Sequence, residues 1–455
     1  MSVPAVIEEI LTKHNIEFTA VDASTTASFI GQAKTTLLQD DKGKIQAIYS
    51  GDSMLDLDAL CRLTERELKA CNPQDVQAIC SKAKVSRLPT IPMALGLDVI
   101  IDRRLLSNRE LKLDTGSECC LVTISIEQFN QLIDDFQTGS ITVDETELQS
   151  ASLDVIHDVD NITSAVANFT QLRIKQRLEE TLEFPPLPET AQRIIKLRAN
   201  PDADIKDLTD IVETDPSLAA QIVSWAASPY YAAPGKIKSV HDAIVRVLGF
   251  DLVLNLSLGL ALGKTLNLPK DTARGFTPYW QQAVYAATAV EALVGAIPPK
   301  ERPAMGMAYL SGLLHNFGYL ILADVFPPHF SNICRYQEAN PLSNHCYIER
   351  HLLGVTREQL GAWLMRTWSM PDEVNTAIRF QNEADFEGEN SAYANLMLIA
   401  MRLLRKHGIG DASSMPIPDK LFKRLYLDRD TAEQAIATMM ESSAELNTMV
   451  ANMAA

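Results

Sequence analysis

Seven cysteines, an odd number without a single CxxC pair, exclude a disulfide framework and agree with a reducing compartment. Long apolar runs are missing as well. The most hydrophobic stretch, Leu252 to Gly263, is interrupted by Asn255 and Ser257 and falls short of the roughly 20 residues that cross a bilayer. Glu8 and Glu9 stand where a secretory signal needs a basic start and an apolar run. A cytoplasmic protein with no membrane contact is therefore expected. Positive charge is scarce too: 41 Lys+Arg face 58 Asp+Glu, a net charge of −17. An acidic body repels phosphate backbones, which excludes broad, sequence-independent nucleic-acid binding away from local basic clusters.

What is present is an ordinary globular composition, 46% hydrophobic and 22% charged over 455 residues. The length corresponds to about three domains' worth of mass, so two or three cores are expected. Residues 1–136 read as mixed α/β. Val6 to His14 places Ile7, Ile10 and Leu11 on one helical face. Asp40-Asp41-Lys42-Gly43 between Leu37-Leu38 and Ile45–Tyr49 is a hairpin signal. Leu55–Leu63 and Thr64–Leu68 read as helical, and Val99–Asp102 and Cys120–Ile124 as strands. The adjacent pair Cys119-Cys120 suits packing better than chelation, because neighbouring strand residues point to opposite faces.

From Leu113 to Leu172 there is no lysine or arginine. Residues 137–183 therefore read as an acidic linker, with a docking segment for a basic partner as the functional alternative, and a connecting helix over Ala165–Leu182. Past the prolines Pro185, Pro186 and Pro188 the pattern becomes helical almost throughout, over 184–410 and an extension over 411–455. Asp215-Pro216 opens one helix with proline where its missing N–H costs nothing. Ser239 with Asp242 resembles a capping box, and Gly249 is placed to end that helix. Trp225, Pro229, Tyr230 and Tyr231 form an aromatic cluster, read as packing first and as a partner surface second.

The blocks FPPLPETAQRIIKL, DIVETDPSLAAQIVSWAAS, KSVHDAIVRVLGFD and YLSGLLHNFGYLIL, in this order, resemble an HDOD domain across about residues 180–410. The resemblance implies an all-α fold similar to the HD metal phosphohydrolases and a place as an output or scaffold module in bacterial signalling. Hydrolysis in the parent fold needs several His and Asp side chains converging on metal. At the corresponding positions this chain has Gln282 after Trp280, His315-Asn316 for the His-Asp pair, Arg357, and Gln381. One histidine beside an arginine does not hold a catalytic ion, so no metal and no cofactor are expected. Elsewhere, His345 and Glu349 share a helical face with His351 close by, and read as an exposed polar face rather than a metal site.

The N-terminal blocks IEEILTKHNIEFTAV, AKTTLLQDDKGKIQAI, LPTIPMALGLDVIIDRRLL and LDTGSECCLVTI resemble the YbaK/prolyl-tRNA editing family over about residues 5–135. Its members act as metal-independent aminoacyl-tRNA deacylases. The resemblance puts the substrate-positioning lysine at Lys34 and a Gly-Ser turn at Gly116-Ser117. It departs from the family twice. A histidine is missing from Val21-Asp22-Ala23-Ser24, and the glycine-rich loop expected near Ser81–Pro89 contains no glycine. Without glycine, backbone amides approach a substrate less freely. Lys82, Lys84 and Arg87 in that loop could meet an acceptor-stem phosphate or simply be solvated.

The expectation is a multidomain chain: an α/β editing-like domain, then an all-α HDOD domain, acting as a non-catalytic signalling regulator with an unidentified protein partner. The alternative is a deacylase that uses Lys34, with the tRNA acceptor end as its partner.

Overall fold

The computed structural model describes residues 3–22, 31–149, 155–176, 186–413 and 415–454. Ala23 and Ser24, part of the segment lacking the editing family's histidine, fall outside them, as do the last residues of the expected connecting helix. The chain divides into two compact units, one of Met1–Ser150 with Asn332–Ser343, the other of Ala151–Ser331 with Asn344–Ala455.

The first unit is the mixed α/β fold read from the sequence. Its strands are β1 (Thr19–Asp22), β2 (Ala33–Asp40), β3 (Gly43–Ser50), β4 (Ser53–Leu55), β5 (Lys69–Ala70), β6 (Asp98–Asp102), β7 (Glu110–Ser117), β8 (Cys120–Ser125), β9 (Gln137–Gly139) and β10 (Thr142–Asp144). They form a five-stranded sheet in the order β5-β2-β3-β6-β9, a three-stranded sheet β1-β8-β7 and the pair β10-β4. β2 and β3 are the expected hairpin, with Asp40 opposite Gly43. Its turn is fixed by the Asp40 carboxylate, which accepts the Lys42 N–H at 2.8 Å, and by Gly43 at φ +132°. The amphipathic helix Ala5–Lys13 seats Ile7 and Leu11 in a core with Ile48, Ile101, Val122 and Phe129.

Three local expectations change. Asp56 caps helix Leu57–Thr64 by accepting the Ala59 N–H at 2.9 Å, but Glu65 turns left-handed at φ +53°. Thr64 is therefore the last helical residue, and the rest of the expected helix Thr64–Leu68 leads into β5 instead. The stretch read as an acidic linker begins with β9, parallel to β6, and β10, antiparallel to β4. The buried Asp102 carboxylate holds this extension in place, accepting from Ile141 N at 3.1 Å and Thr142 Oγ1 at 2.7 Å. Finally, Asn332–Ser343 belongs to this unit: the Asn340 amide accepts the Leu55 N–H at 2.7 Å and donates to the Leu55 carbonyl at 3.1 Å, as a neighbouring strand would. Cys119 is exposed and Cys120 buried, in keeping with packing.

In the second unit the described residues contain helices and no strand. Pro216 sits in the first turn of helix Pro216–Ala226, whose cap Asp215 accepts from Ser217 and Leu218. Ser239 caps Val240–Ala243 through the Asp242 N–H, while the Asp242 carboxylate takes the Lys238 N–H rather than that of Ser239, so only half of the capping box forms. Gly249, at φ +78°, ends that segment as expected. Helix Phe250–Gly263 is buried from Leu252 through Gly263, which explains a stretch apolar on every side. Among the described residues no helix is long and apolar enough to cross a membrane. The acidic stretch also supplies helix Asp158–Gln176. There the buried Asp158 accepts two hydrogen bonds from Arg379, at 2.6 and 3.0 Å, and one from Gln359 at 2.6 Å. At least one acid of the expected linker is thus a buried ion-pair partner.

Glycine sets the closest helix approach. A Cβ on Gly312 in helix Met305–Leu314 would lie 2.5 Å from Ala287 Cα and 2.7 Å from its nitrogen in helix Tyr279–Ala296. Because backbone faces backbone, no side chain can swing away. Gly312→Ala is expected to destabilise the protein by about 1–3 kcal/mol, the usual cost of overpacking. The check is the urea midpoint, which falls at unchanged slope. A midpoint equal to wild type would show that the helices separate freely.

Candidate functional site

Two places carry the residues singled out by sequence. In the second unit, the five positions at which the HDOD resemblance expects metal ligands are all buried: Gln282, His315, Asn316, Arg357 and Gln381. Helices bring them together. Asn316 follows helix Met305–Leu314, and a Cβ on Gly318 just beyond would collide with the Arg357 carbonyl, so glycine there lets helix Arg357–Thr367 close in. Thr356 and Gln359 form a capping box that fixes Arg357 at the start of its helix.

Three of the five side chains bond one another, and Gln381 reaches the His315 backbone. Asn316 Nδ2 donates to Gln282 Oε1 at 3.2 Å, and Arg357 Nη1 donates to Asn316 Oδ1 at 3.3 Å. Gln282 Nε2 donates to the Thr277 carbonyl at 2.7 Å, and Gln381 Nε2 to the His315 carbonyl at 2.9 Å. Arg357 is the hub. Its Nε pairs with Glu349 Oε1, its backbone N–H donates to Glu349 Oε2 at 2.7 Å, and its Nη1 reaches Asp411 Oδ2 at 3.0 Å. Its guanidinium also lies 5.2 Å from the centre of the Tyr319 ring. A permanent cation thus stands among the positions where a metal would be expected. Burial opposes its charge, but Glu349, Asp411 and Glu358 raise its pKa further above the usual guanidinium value.

The reading of His345 and Glu349 as an exposed face is overturned: both are buried. His345 Nε2 lies 2.7 Å from Glu358 Oε1, and Glu349 holds Arg357. Burial and Arg357 work against charge on His345, yet the acids around it, Asp411 and Glu358 among them, hold its pKa well above the ordinary value. Glu358 is correspondingly lowered: burial resists its ionisation and His345 outweighs that. Sequence reasoning missed Cys346, Glu358 and Asp411. None of them falls in a block that carries the resemblance, and Asp411 lies 54 residues from the arginine it pairs with. The aromatic cluster behaves as packing: Trp225 is buried and its Nε1 donates to Tyr231 Oη at 3.4 Å, while Pro229 is exposed.

In the first unit, Lys34 lies on β2 opposite Tyr49. Its ammonium is 3.8 Å from Glu145 Oε1, with 14% of the side chain exposed. Burial lowers its pKa, against the raising effect of Glu145 and Asp52. Gly116 adopts φ +78°, and a Cβ there would come within 2.9 Å of the Arg87 carbonyl. The Ser86 and Arg87 N–H groups both donate to the Gly116 carbonyl, at 2.8 and 3.1 Å. The Gly116 N–H in turn goes to Asp114 Oδ1 at 2.8 Å, and Ser117 N–H to Thr115 Oγ1 at 3.4 Å. The Ser86, Arg87, Gly116 and Ser117 N–H groups are thus all hydrogen-bonded to the strand Glu110–Ser117. Arg87 pairs with Asp114 at 2.9 Å, leaving Lys82 and Lys84 as the exposed bases of that cluster.

Residues 184–384 match the HDOD domain family and residues 16–132 the aminoacyl-tRNA editing domain family. The crystal structure of a candidate signal transduction protein from Marinobacter aquaeolei VT8 is 40% identical over 100% of both chains, with a TM-score of 0.90. The chain belongs to the HDOD family, with an aminoacyl-tRNA editing domain ahead of the HDOD segment. An HDOD domain protein of unknown function from Geobacter sulfurreducens shares the fold at 20% identity and a TM-score of 0.51, over 64% of this chain and 99% of its own. An uncharacterized protein of Treponema pallidum (strain Nichols) is 23% identical over 270 residues, 58% of this chain, and the match spans 50% of the relative's own length.

The single histidine of the HDOD cluster has a measurable signature. Burial pulls the His315 imidazole down to about 4, from an ordinary 6.5. Its Nδ1 donates to the Gly312 carbonyl at 2.8 Å, and Nε2 is buried without a hydrogen-bond partner. The unfolded chain therefore binds a proton near pH 6.5 that the native state refuses until about pH 4. The contribution is complete above the unfolded value and is lost as pH falls through this window, by about 3 kcal/mol. His315→Asn, which keeps a donor for Gly312, is expected to flatten this part of a stability–pH curve taken from urea midpoints. Parallel curves for variant and wild type would mean that the imidazole is charged when buried.

Proposed function

We propose that this HDOD protein is a non-catalytic regulator in bacterial signal transduction, in which the editing-like domain serves as a recognition module and the HDOD domain as the output surface for a protein partner. The observation that carries the reading is Arg357. A guanidinium bonded to Asn316, Glu349 and Asp411 sits among the positions where the parent fold collects metal ligands. A divalent ion there would meet a fixed positive charge and neutral amides instead of carboxylates, so no ion would be held to lower the pKa of a bound water. The likeness to the Marinobacter protein supports the signalling assignment. In the editing domain, the commitment of the Ser86 and Arg87 amides to Gly116 argues in the same direction.

The second reading, an aminoacyl-tRNA deacylase acting through Lys34, draws on one feature: Lys34 is held beside Glu145 with its pKa lowered by burial. An ammonium in such a setting can stabilise charge developing on an ester oxygen.

One experiment separates the two. Full-length protein is incubated with a panel of mischarged tRNAs, and in parallel with a phosphodiester substrate and Mn2+. The regulatory reading expects discharge no faster than the spontaneous rate and no phosphodiester hydrolysis. Turnover of any one aminoacyl-tRNA that disappears in Lys34→Ala overturns it in favour of the deacylase.

A further inference from the structure

A set of donors lies next to Arg357 but outside the five positions described above. His345, Cys346 and Glu358 are all buried, and one ligand atom from each lies within 4.8 Å of the others. We infer that these three side chains, with Asn382 as a fourth donor, form a closed structural site for a divalent transition metal of the zinc class.

The arrangement comes from two helices. Asn344 caps helix His345–Leu353 by accepting the Cys346 N–H at 3.0 Å, which fixes the adjacent His345 and Cys346 in its first turn. Glu358 comes from helix Arg357–Thr367 and stands between them: Oε1 is 2.7 Å from His345 Nε2 and Oε2 is 3.5 Å from Cys346 Sγ. The Asn382 amide completes the ring, 3.0 Å from Glu358 Oε1 and 3.4 Å from Cys346 Sγ. Its oxygen and nitrogen exchange places by a half-turn of the amide, which presents an oxygen donor to the same point. Imidazole, thiolate, carboxylate and amide oxygen suit zinc or cobalt, whereas magnesium and calcium call for oxygen donors alone.

Charge and outer contacts agree with this. The cluster is held by two hydrogens, one on His345 Nε2 and one on Cys346 Sγ, both directed at the Glu358 carboxylate. A dication takes the place of both protons, leaving as an imidazole nitrogen and a thiolate sulfur bound to metal, so the net charge of the buried region is unchanged. The Arg357 charge acts against a cation here, but its guanidinium is paired with Glu349 and Asp411, and the Glu358 carboxylate faces the ion's position. His345 Nδ1, buried without a hydrogen-bond partner, lies 3.7 Å from Asp411 Oδ2. Histidine ligands commonly direct their second nitrogen at such a carboxylate. Four protein donors leave no open position, so the site is structural and independent of the regulatory reading of the HDOD positions.

The test uses metal-free full-length protein under reducing conditions, titrated with Co2+ and then Zn2+. The expected result is one equivalent bound, thiolate-to-cobalt charge-transfer absorption, displacement by zinc and about two protons released per metal. Cys346→Ser is expected to lose the charge-transfer band and weaken binding by at least about 100-fold, whereas Cys334→Ser keeps both. If Cys346→Ser does not fold, X-ray absorption on the wild-type zinc form decides, with one sulfur and one imidazole expected in the shell. No uptake at stoichiometric metal, a shell of nitrogen and oxygen alone, or a charge-transfer band that persists in Cys346→Ser would each overturn the assignment.

Discussion

The charge of Arg357 is the constraint around which the second unit is arranged. A guanidinium only 2% exposed is tolerable only if its donors find acceptors without water. Glu349, Asn316 and Asp411 supply them for Nε and Nη1, from a different helix, a helix junction and a distant loop, while the buried Nη2 lies without a hydrogen-bond partner. Each acceptor has its own requirement. Glu349 must sit on the buried face of its helix, Asn316 must turn its amide between Gln282 and the guanidinium, and Gly318 must have no side chain. Removing the arginine would strand two carboxylates, a change that typically costs about 3–5 kcal/mol where a buried pair is broken.

Much of this was legible in the sequence, and the reasons differ by element. The hairpin at Asp40–Gly43 follows from local turn chemistry, and the α/β and all-α halves follow from hydrophobic period. The five HDOD positions were legible as residue types, because Gln282, Asn316, Arg357 and Gln381 lie in or beside ordered sequence blocks. Their mutual bonding was not legible, since it joins residues tens of positions apart. Strands as short as β9 and β10 are too brief to show a period of two, so their acidic surroundings read as linker. Asp158 misleads in the same way: its partner Arg379 lies 221 residues on. His345 and Glu349 are the clearest failure. Polar residues four apart usually mark an exposed face, and only the positions of Glu358 and Arg357 reveal why these two are inside.

The two units share a physical feature: polar groups at the positions singled out by the family resemblances are hydrogen-bonded within the protein. In the first, the Ser86, Arg87 and Gly116 amides are bonded within the loop and its turn. A donor already engaged at 2.8–3.1 Å gains little by swinging toward a transition state, and breaking its bond would offset what it gives. In the second, amide and guanidinium groups bond one another at sites where carboxylates and imidazoles would bind an ion. Both arrangements hold their polar groups in fixed local geometry.

Fixity itself needs explaining, because a buried polar network is weak evidence of stability. Hydrophobic residues of the same volume would often serve as well or better. What the network around Arg357 provides is directionality: each bond has one geometry, so helices His345–Leu353 and Arg357–Thr367 and the segment at Asp411 are locked in register rather than merely packed. Apolar contacts would permit sliding of those helices at small cost, while a misplaced guanidinium leaves charges unpaired. The side chains around Arg357 thereby help to fix the shape of the second unit.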